Sequence, residues 1–284
     1  MQSNFYRALI VIKRSPLTLA GLVIIGLVAI VAILAPVLTP YSPIASKFDQ
    51  MLRPPSKQHL MGADGVGRDV LSRVIAGARI SFKISLLVLT IVVSIGLATG
   101  LAAAYWGGII DTIIMRIADV FLAFPSLVLA IALSAALGGG MISVMIAITV
   151  SWWPYYSRLV RSLALSQMEE GYIEAARAIG AGNWRIIVKH VLPNCLGPVL
   201  VLASNDMGWV ILTAAGLGFI GVGVQPPVPE WGAMISSGRI YVFDQWWIVT
   251  FPGLAILITV LGYSLLGDGL RDIFDPYIRR GRQI

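Results

Sequence analysis

The chain has 284 residues, 57% of them hydrophobic and only 12% charged, with a mean hydropathy of +0.85. Soluble domains carry about 25% charged residues, so an ordinary soluble enzyme or binding domain is excluded. The formal charge of +7 comes from Lys and Arg scattered between apolar runs; without a dense basic patch and interleaved aromatics it fits lipid headgroups and inside-loop positive charge, and no nucleic-acid partner is expected.

The first 16 residues are basic, with Arg7, Lys13 and Arg14. Residues 17–38 then carry no charge over 22 positions, and about 20 apolar residues cross a bilayer. The run is longer than the apolar core of a signal peptide and has no small-x-small cleavage pattern, so it reads as a retained first span. Residues 39–80 begin polar and Pro-rich (Pro40, Pro43, Pro54, Pro55) and continue through Gly62, Asp64, Gly67, Arg68 and Asp69. These glycines do not form a phosphate loop, since neither a preceding strand nor a Gly-Lys-Ser/Thr accompanies them. From Asp69 the pattern turns helical, with Val70, Leu71, Val74, Ile75 and Ala78 on one side. That spacing predicts an amphipathic helix along the membrane interface leading into a second span over 82–105. Gly96 and Gly100 permit close helix contact, within the bundle or across a subunit interface.

Trp106, Gly107, Gly108 and the polar Asp111, Arg116 and Asp119 predict a short turn, followed by a third span over 120–137 that Pro125 kinks. After the tight turn Gly138-Gly139-Gly140, a fourth span is expected over 142–159, ending in Trp152, Trp153, Tyr155 and Tyr156. Those aromatics fit a membrane–water belt or the lining of a pore. Arg158 and Arg161 are then expected to enter a polar loop, 165–195. There Tyr172, Ala175, Ala176 and Ile179 recur at helical spacing, and Trp184, Ile187, Val188 and Val191 repeat it. Gly180 is placed to end the first helix in a left-handed conformation, Asn183 to cap the second, and Pro193 to stop it. A glycine-joined pair of short amphipathic helices between spans is suited to docking in a groove of a soluble partner.

A fifth span is expected over 197–224. It carries Asp206, an acid at membrane depth that either packs as a hydrogen-bonding anchor or lines a transport path. The run Gly216 to Gly223 allows tight backbone packing or a bend. Residues 225–246, with Pro229-Glu230-Trp231-Gly232 and an anchoring Trp246-Trp247, form an outside segment. A sixth span runs over 248–266, and Gly267, Asp268, Leu270, Arg271, Asp272, Asp275 and Pro276 precede a basic tail. Six spans put both termini on one side. With the loop 165–195 inside, 13 of the 21 Lys and Arg are inside, the direction that orientation by positive charge requires.

Several of these motifs together resemble a known family. Glu174, Ala175, Ala176, Gly180, Leu192 and Pro193 match the loop pattern of bacterial and archaeal ABC importer permeases, with His190 where Ile is usual. Gly62, Asp64, Gly67, Arg68, Asp69, Ser72, Arg73, Gly77, Arg79 and Ser81 resemble the signature of the dipeptide, oligopeptide and nickel branch, with Ala63 in place of Thr. The Glu230-Trp231-Gly232 segment and the C-terminal Asp/Arg motif are similar to that branch too, so the resemblance spans nearly the whole chain. It implies an all-α polytopic membrane protein with the type I importer permease fold: six transmembrane helices and a cytoplasmic coupling helix pair. Residues 1–80 would form the first span and an external amphipathic arm, and residues 81–284 a five-span permease core. Glu174, Ala175, Ala176, Arg177, Ile179, Gly180, Leu192 and Pro193 would couple to an ATPase. The partners implied are a second, homologous but non-identical permease, two cytoplasmic ATPase subunits, an external substrate-binding protein and the lipid bilayer.

The chain has no Gly-x-x-x-x-Gly-Lys-Ser/Thr, so any ATP hydrolysis belongs to other chains and no enzymatic activity is expected here. The single Cys195 rules out an internal disulfide and a cysteine metal site, and His59 and His190 lie in different loops; no cofactor and no metal are expected. An intramembrane serine protease would need a Ser and a His together at membrane depth, which the loop positions of both histidines disfavour. A secondary transporter would need pathway acids, for which Asp206 is the sole clear candidate, and would leave the loop 165–195 unexplained. The expected cargo is short peptides, with nickel complexes or oligosaccharides as alternatives for the same machinery.

Overall fold

The computed structural model describes residues 15–274. Arg7, Lys13, Arg14, Asp275, Pro276, Arg279, Arg280 and Arg282 lie outside the described residues, as do the two termini and their expected cytoplasmic placement. Among the described residues the regular elements are helices, with one isolated bridge between Ala63 and Asp69.

Helix α1, Pro16–Leu38, starts where the Ser15 side chain accepts the Thr18 amide and Pro16 supplies a pre-set φ. Its mean hydropathy is 3.0, and its buried positions are the small residues Thr18, Gly21, Ala32 and Ala35. Leu22, Leu27, Ile33 and Val37 face outward. Large apolar side chains outside and small ones inside are what a helix solvated by lipid shows.

Helix α2, Val70–Trp106, is one rod of 37 residues capped by Asp69. The interfacial helix and second span expected as two elements are therefore continuous. No proline interrupts the helix at Arg79–Phe82, and Ser85 Oγ donates to Phe82 O at 3.1 Å within it. Against α2 packs α5, Met141–Met168, the most extensive helix contact in the bundle. A Cβ at Gly96 would collide with Tyr156 Cβ and approach Ser157 N at 3.2 Å; one at Gly100 would lie 2.6 Å from Ser157 O and 2.7 Å from Val160 Cβ. The glycine pair thus serves contact within the bundle.

Between them the chain departs from expectation. Asp111, Arg116 and Asp119 sit on a helix, α3 (Gly108–Leu122), rather than in a turn, and α4 (Ser126–Ala136) follows at a bend of 88°. Pro125 ends α3 because the residue before a proline is driven out of the helical region and the proline offers no amide. The third span over 120–137 is accordingly a bent pair. Helix α5 continues nine residues past the expected end at 159, so Arg158 and Arg161 belong to it. Their charges are matched by α3: Arg161 donates to both oxygens of Asp111 at 2.5 Å, and Arg158 pairs with Asp119.

Helix α6, Gly171–Ala178, precedes α7, which runs over Asn183–Ile220. Pro193 does not stop α7. A π-helical segment, Ile187–Val191, precedes it, and this local widening accommodates the missing proline amide. Asn183 is the first helical residue and Gly182 the cap, with no side-chain capping bond. A short helix α8, Trp231–Gly238, packs against α7 and α9, Trp247–Phe274. Among the described residues four helices are long and apolar enough to span a membrane, five if α3 and α4 count as one bent span; α5, with 28 residues, is long enough at about 1.5 Å per residue but more polar.

Candidate coupling surface and membrane cavity

The α6–α7 corner is built on a buried seat. Ile173, Ile186, Val191 and Cys195 cluster with Ala104 of α2 and Ala164 of α5. Only part of each expected apolar stripe faces this seat. Ala176, Ile187 and Val191 are buried, whereas Tyr172, Ala175, Ile179, Trp184 and Val188 point away from the bundle. Ile179 is 87% exposed and Trp184 76%, more than an apolar group tolerates in water unless something covers it. Gly180 closes α6 at φ +81°, with its amide on Arg177 O at 2.9 Å and the Ala181 amide on Ala176 O at 3.0 Å. That left-handed position favours glycine. Asn194 Nδ2 donates to Tyr172 Oη at 3.1 Å and to His190 O at 2.7 Å, so the start of α6 is tied to the π segment. Glu174, Ala175, Arg177 and Pro193 are exposed on the same corner; Leu192 is half-buried.

The external-arm residues gather at a second place. Asp64 Oδ1 accepts the amides of Val66 and Arg68 at 3.0 and 2.9 Å, and its Oδ2 accepts from Arg68 Nε at 2.7 Å. Arg73 Nε approaches the same oxygen at 3.6 Å, and Arg73 Nη1 donates to Pro43 O at 2.7 Å and Pro227 O at 3.3 Å. Asp69 Oδ2 takes the amide and hydroxyl of Ser72, both at 2.7 Å, while its Oδ1 lies 2.8 Å from His59 Nδ1. These carboxylates are buried, so each needs such partners. Gly62 and Gly67 have φ of +74° and +75°. The arm is thus a fastened structure. Trp247 helps fasten it: its indole is buried and donates to Ala63 O at 3.2 Å, so only Trp246 is left exposed as an anchor at an interface.

Asp206 stands apart from both groups, near the middle of α7. Tyr156 Oη donates to Asp206 Oδ2 at 2.6 Å. Because α5 extends to Met168, Trp152, Tyr155 and Tyr156 sit at mid-helix and not at a span end. Together with Leu202, Asp206 and Trp209 they line a cavity of about 300 Å³. Trp152, Tyr155 and Tyr156 therefore line this cavity rather than mark the end of the helix. Sequence reasoning missed the Tyr156–Asp206 pair and the Arg161–Asp111 pair, each 50 residues apart. It also missed Glu230, whose buried carboxylate accepts the Gly232 and Ala233 amides at 2.9 and 2.8 Å as the cap of α8.

A bundle of long apolar helices with a fastened polar arm and an exposed apolar corner describes a multi-pass membrane protein. The comparisons specify it. The chain belongs to the family of binding-protein-dependent transport system inner membrane components, whose model matches residues 93–280; residues 3–55 match the N-terminal TM domain of oligopeptide transport permease C. It is 47% identical to a probable D,D-dipeptide transport system permease protein, DdpC, of Escherichia coli K12, over 97% of this chain and 93% of that one. It is 44% identical to the dipeptide transport system permease protein DppC of Alkalihalophilus pseudofirmus, over 94% and 88%. In fold it is similar to the inward-facing MetNI methionine ABC transporter (TM-score 0.57, 21% identity, 72% of this chain and 97% of that one) and to an amino acid ABC transporter (TM-score 0.56, 17% identity, 70% and 92%). The chain is a membrane permease component, embedded in the cell membrane by several apolar helices.

Proposed function

We propose that this permease is one half of the passage of an ATP-driven importer of short peptides, with α6 and the start of α7 as the element that engages a cytoplasmic ATPase. The observation that carries the coupling role is the exposed Ile179–Trp184 tip, held on the left-handed Gly180 turn over a fully buried seat. An apolar tip on a rigid base fits a groove in a soluble partner. With no phosphate-binding motif in the chain, that partner would supply ATP hydrolysis, as two subunits, one for each permease. The second permease would be homologous and non-identical, and an external binding protein would deliver cargo. The tip then faces the cytoplasm, both termini lie on that side, and the arm of residues 39–69 is external. The cargo reading draws on the relatives named as dipeptide permeases.

Glu174, Ala175, Ala176, Arg177, Ile179, Gly180, Leu192 and Pro193 would form or support the docking corner. Ala175 is small and exposed, letting the partner approach closely, while Ala176 packs inward. Reconstitution of the complete assembly tests this. Gly180→Leu and Glu174→Lys should insert normally, abolish peptide uptake and break the link between ATP hydrolysis and transport. Normal uptake by these variants overturns the coupling role. Uptake of nickel complexes or oligosaccharides with no peptide uptake overturns the cargo reading alone.

A further inference from the structure

Asp206 is a half-buried carboxylate midway along a 38-residue apolar helix. Among the described residues its hydrogen-bond partner is the neutral Tyr156 hydroxyl, and no Lys or Arg pairs with it. A carboxylate at that depth is costly unless it meets water or a cation. It borders the cavity of about 300 Å³, room for about ten waters at roughly 30 Å³ each. Three further walls are aromatic: Trp152, Tyr155 and Trp209 line the same space, with Leu122, Leu202, Ser126 and Ser151 between them, and Tyr155 stands edge-on to Tyr156, their rings 6.2 Å apart. Tyr155 and Trp209 are more than half exposed, so the cavity opens at the surface of this bundle. An acid favours a mouth on water over one on hydrocarbon, and an aqueous passage between two permeases would supply that water.

We propose that this cavity is a binding subsite for the protonated amino terminus of a peptide in transit, with Asp206 as counter-charge and Trp152, Tyr155 and Trp209 as aromatic walls. The proposal rests on the peptide-import reading above. Aromatic faces attract a cation through the ring quadrupole, and a carboxylate supplies a charge-assisted hydrogen bond. Tyr156 is a positioning residue: its hydroxyl occupies Oδ2 and leaves the remaining lone pairs for the ligand.

The test uses the complete assembly. In nanodiscs without the binding protein, saturation-transfer NMR compares Ala-Ala with N-acetyl-Ala-Ala, which lacks the ammonium. Ala-Ala should bind at least about tenfold more tightly in the wild type, from the roughly 10- to 100-fold that a hydrogen bond to a charged group contributes, and Asp206→Asn should remove the difference. In proteoliposomes, Asp206→Asn should raise KM for uptake about tenfold while kcat changes less, and Asp206→Glu should recover part of the loss. Equal binding of the two probes by the wild type, or an unchanged KM in Asp206→Asn, overturns the subsite. Should Asp206→Asn fail to assemble, Trp209→Leu decides: unchanged Ala-Ala affinity overturns the proposal and a loss supports it. A wild type that imports Ala-Ala with no effect of Asp206 sinks the subsite alone. A wild type that binds Ala-Ala through Asp206 yet imports no peptide sinks the cargo reading and, with it, the subsite's role in peptide transit, leaving only an ammonium-binding cavity.

Discussion

The indole of Trp247 donates to the carbonyl of Ala63 at 3.2 Å, across 184 positions of chain, and so joins the start of α9 to the turn of the outer arm. Trp247→Phe keeps most of the buried ring and loses the hydrogen bond, for an expected cost of about 1 kcal/mol. Trp247→Ala should cost about 3–5 kcal/mol. Thermal unfolding of the detergent-solubilised protein separates the two; equal midpoints for Phe and Ala would show that the ring's packing is immaterial.

The Arg161–Asp111 pair is bidentate but partly exposed, with the side chains 33% and 21% accessible. Solvent screening limits its coupling to about 1 kcal/mol, the upper end for such pairs. A double-mutant cycle with Arg161→Met and Asp111→Asn should return that coupling, and raising the salt concentration should shrink it.

Gly96→Leu should be among the most damaging substitutions in the bundle. Its side chain would enter the space of Tyr156 Cβ and the backbone of Ser157. Overpacking of this kind costs about 1–3 kcal/mol or more, and here it would also displace Tyr156 from Asp206. Loss of folded protein on size-exclusion chromatography, with Gly26→Leu as the tolerated control because nothing lies within 4 Å of that position, measures it.

Glu230 gives a pH dependence. Burial pushes its carboxyl above the ordinary value of 4.5, although the Gly232 and Ala233 amides pull the other way. The folded form therefore binds the proton more tightly than the unfolded chain. Its contribution to stability is full below about pH 4.5 and is lost as pH rises through the elevated folded value. Wild type should lose thermal stability over that interval relative to Glu230→Gln, whose profile should lack the step. Parallel profiles would assign the wild-type dependence to other groups.

Much of this architecture could be read from one-dimensional pattern. The apolar runs located α1, α9 and the later part of α7, though not its continuity through Pro193, and the spacing of Tyr172 to Val191 located the corner with its glycine turn. The ends of the middle helices were not legible, since Arg158 and Arg161 look like span terminators until Asp119 and Asp111 are known to lie beside them. Which side of α6 and early α7 is covered was equally hidden: periodicity marks an apolar stripe but does not say whether the bundle or a partner covers it. The cavity at Asp206 depends on a hydroxyl 50 residues away, which composition and spacing do not reveal.

The π segment Ile187–Val191 has a mechanical consequence. It lets one continuous helix run from Trp184 past Pro193 to Asp206, 22 residues or about 33 Å at 1.5 Å per residue. Over that length a tilt of about 10° displaces one end by roughly 6 Å relative to the other, about one helical pitch. Shortening the bulge by one residue would rotate the tip by about 100° around the shaft while leaving the acid where it stands.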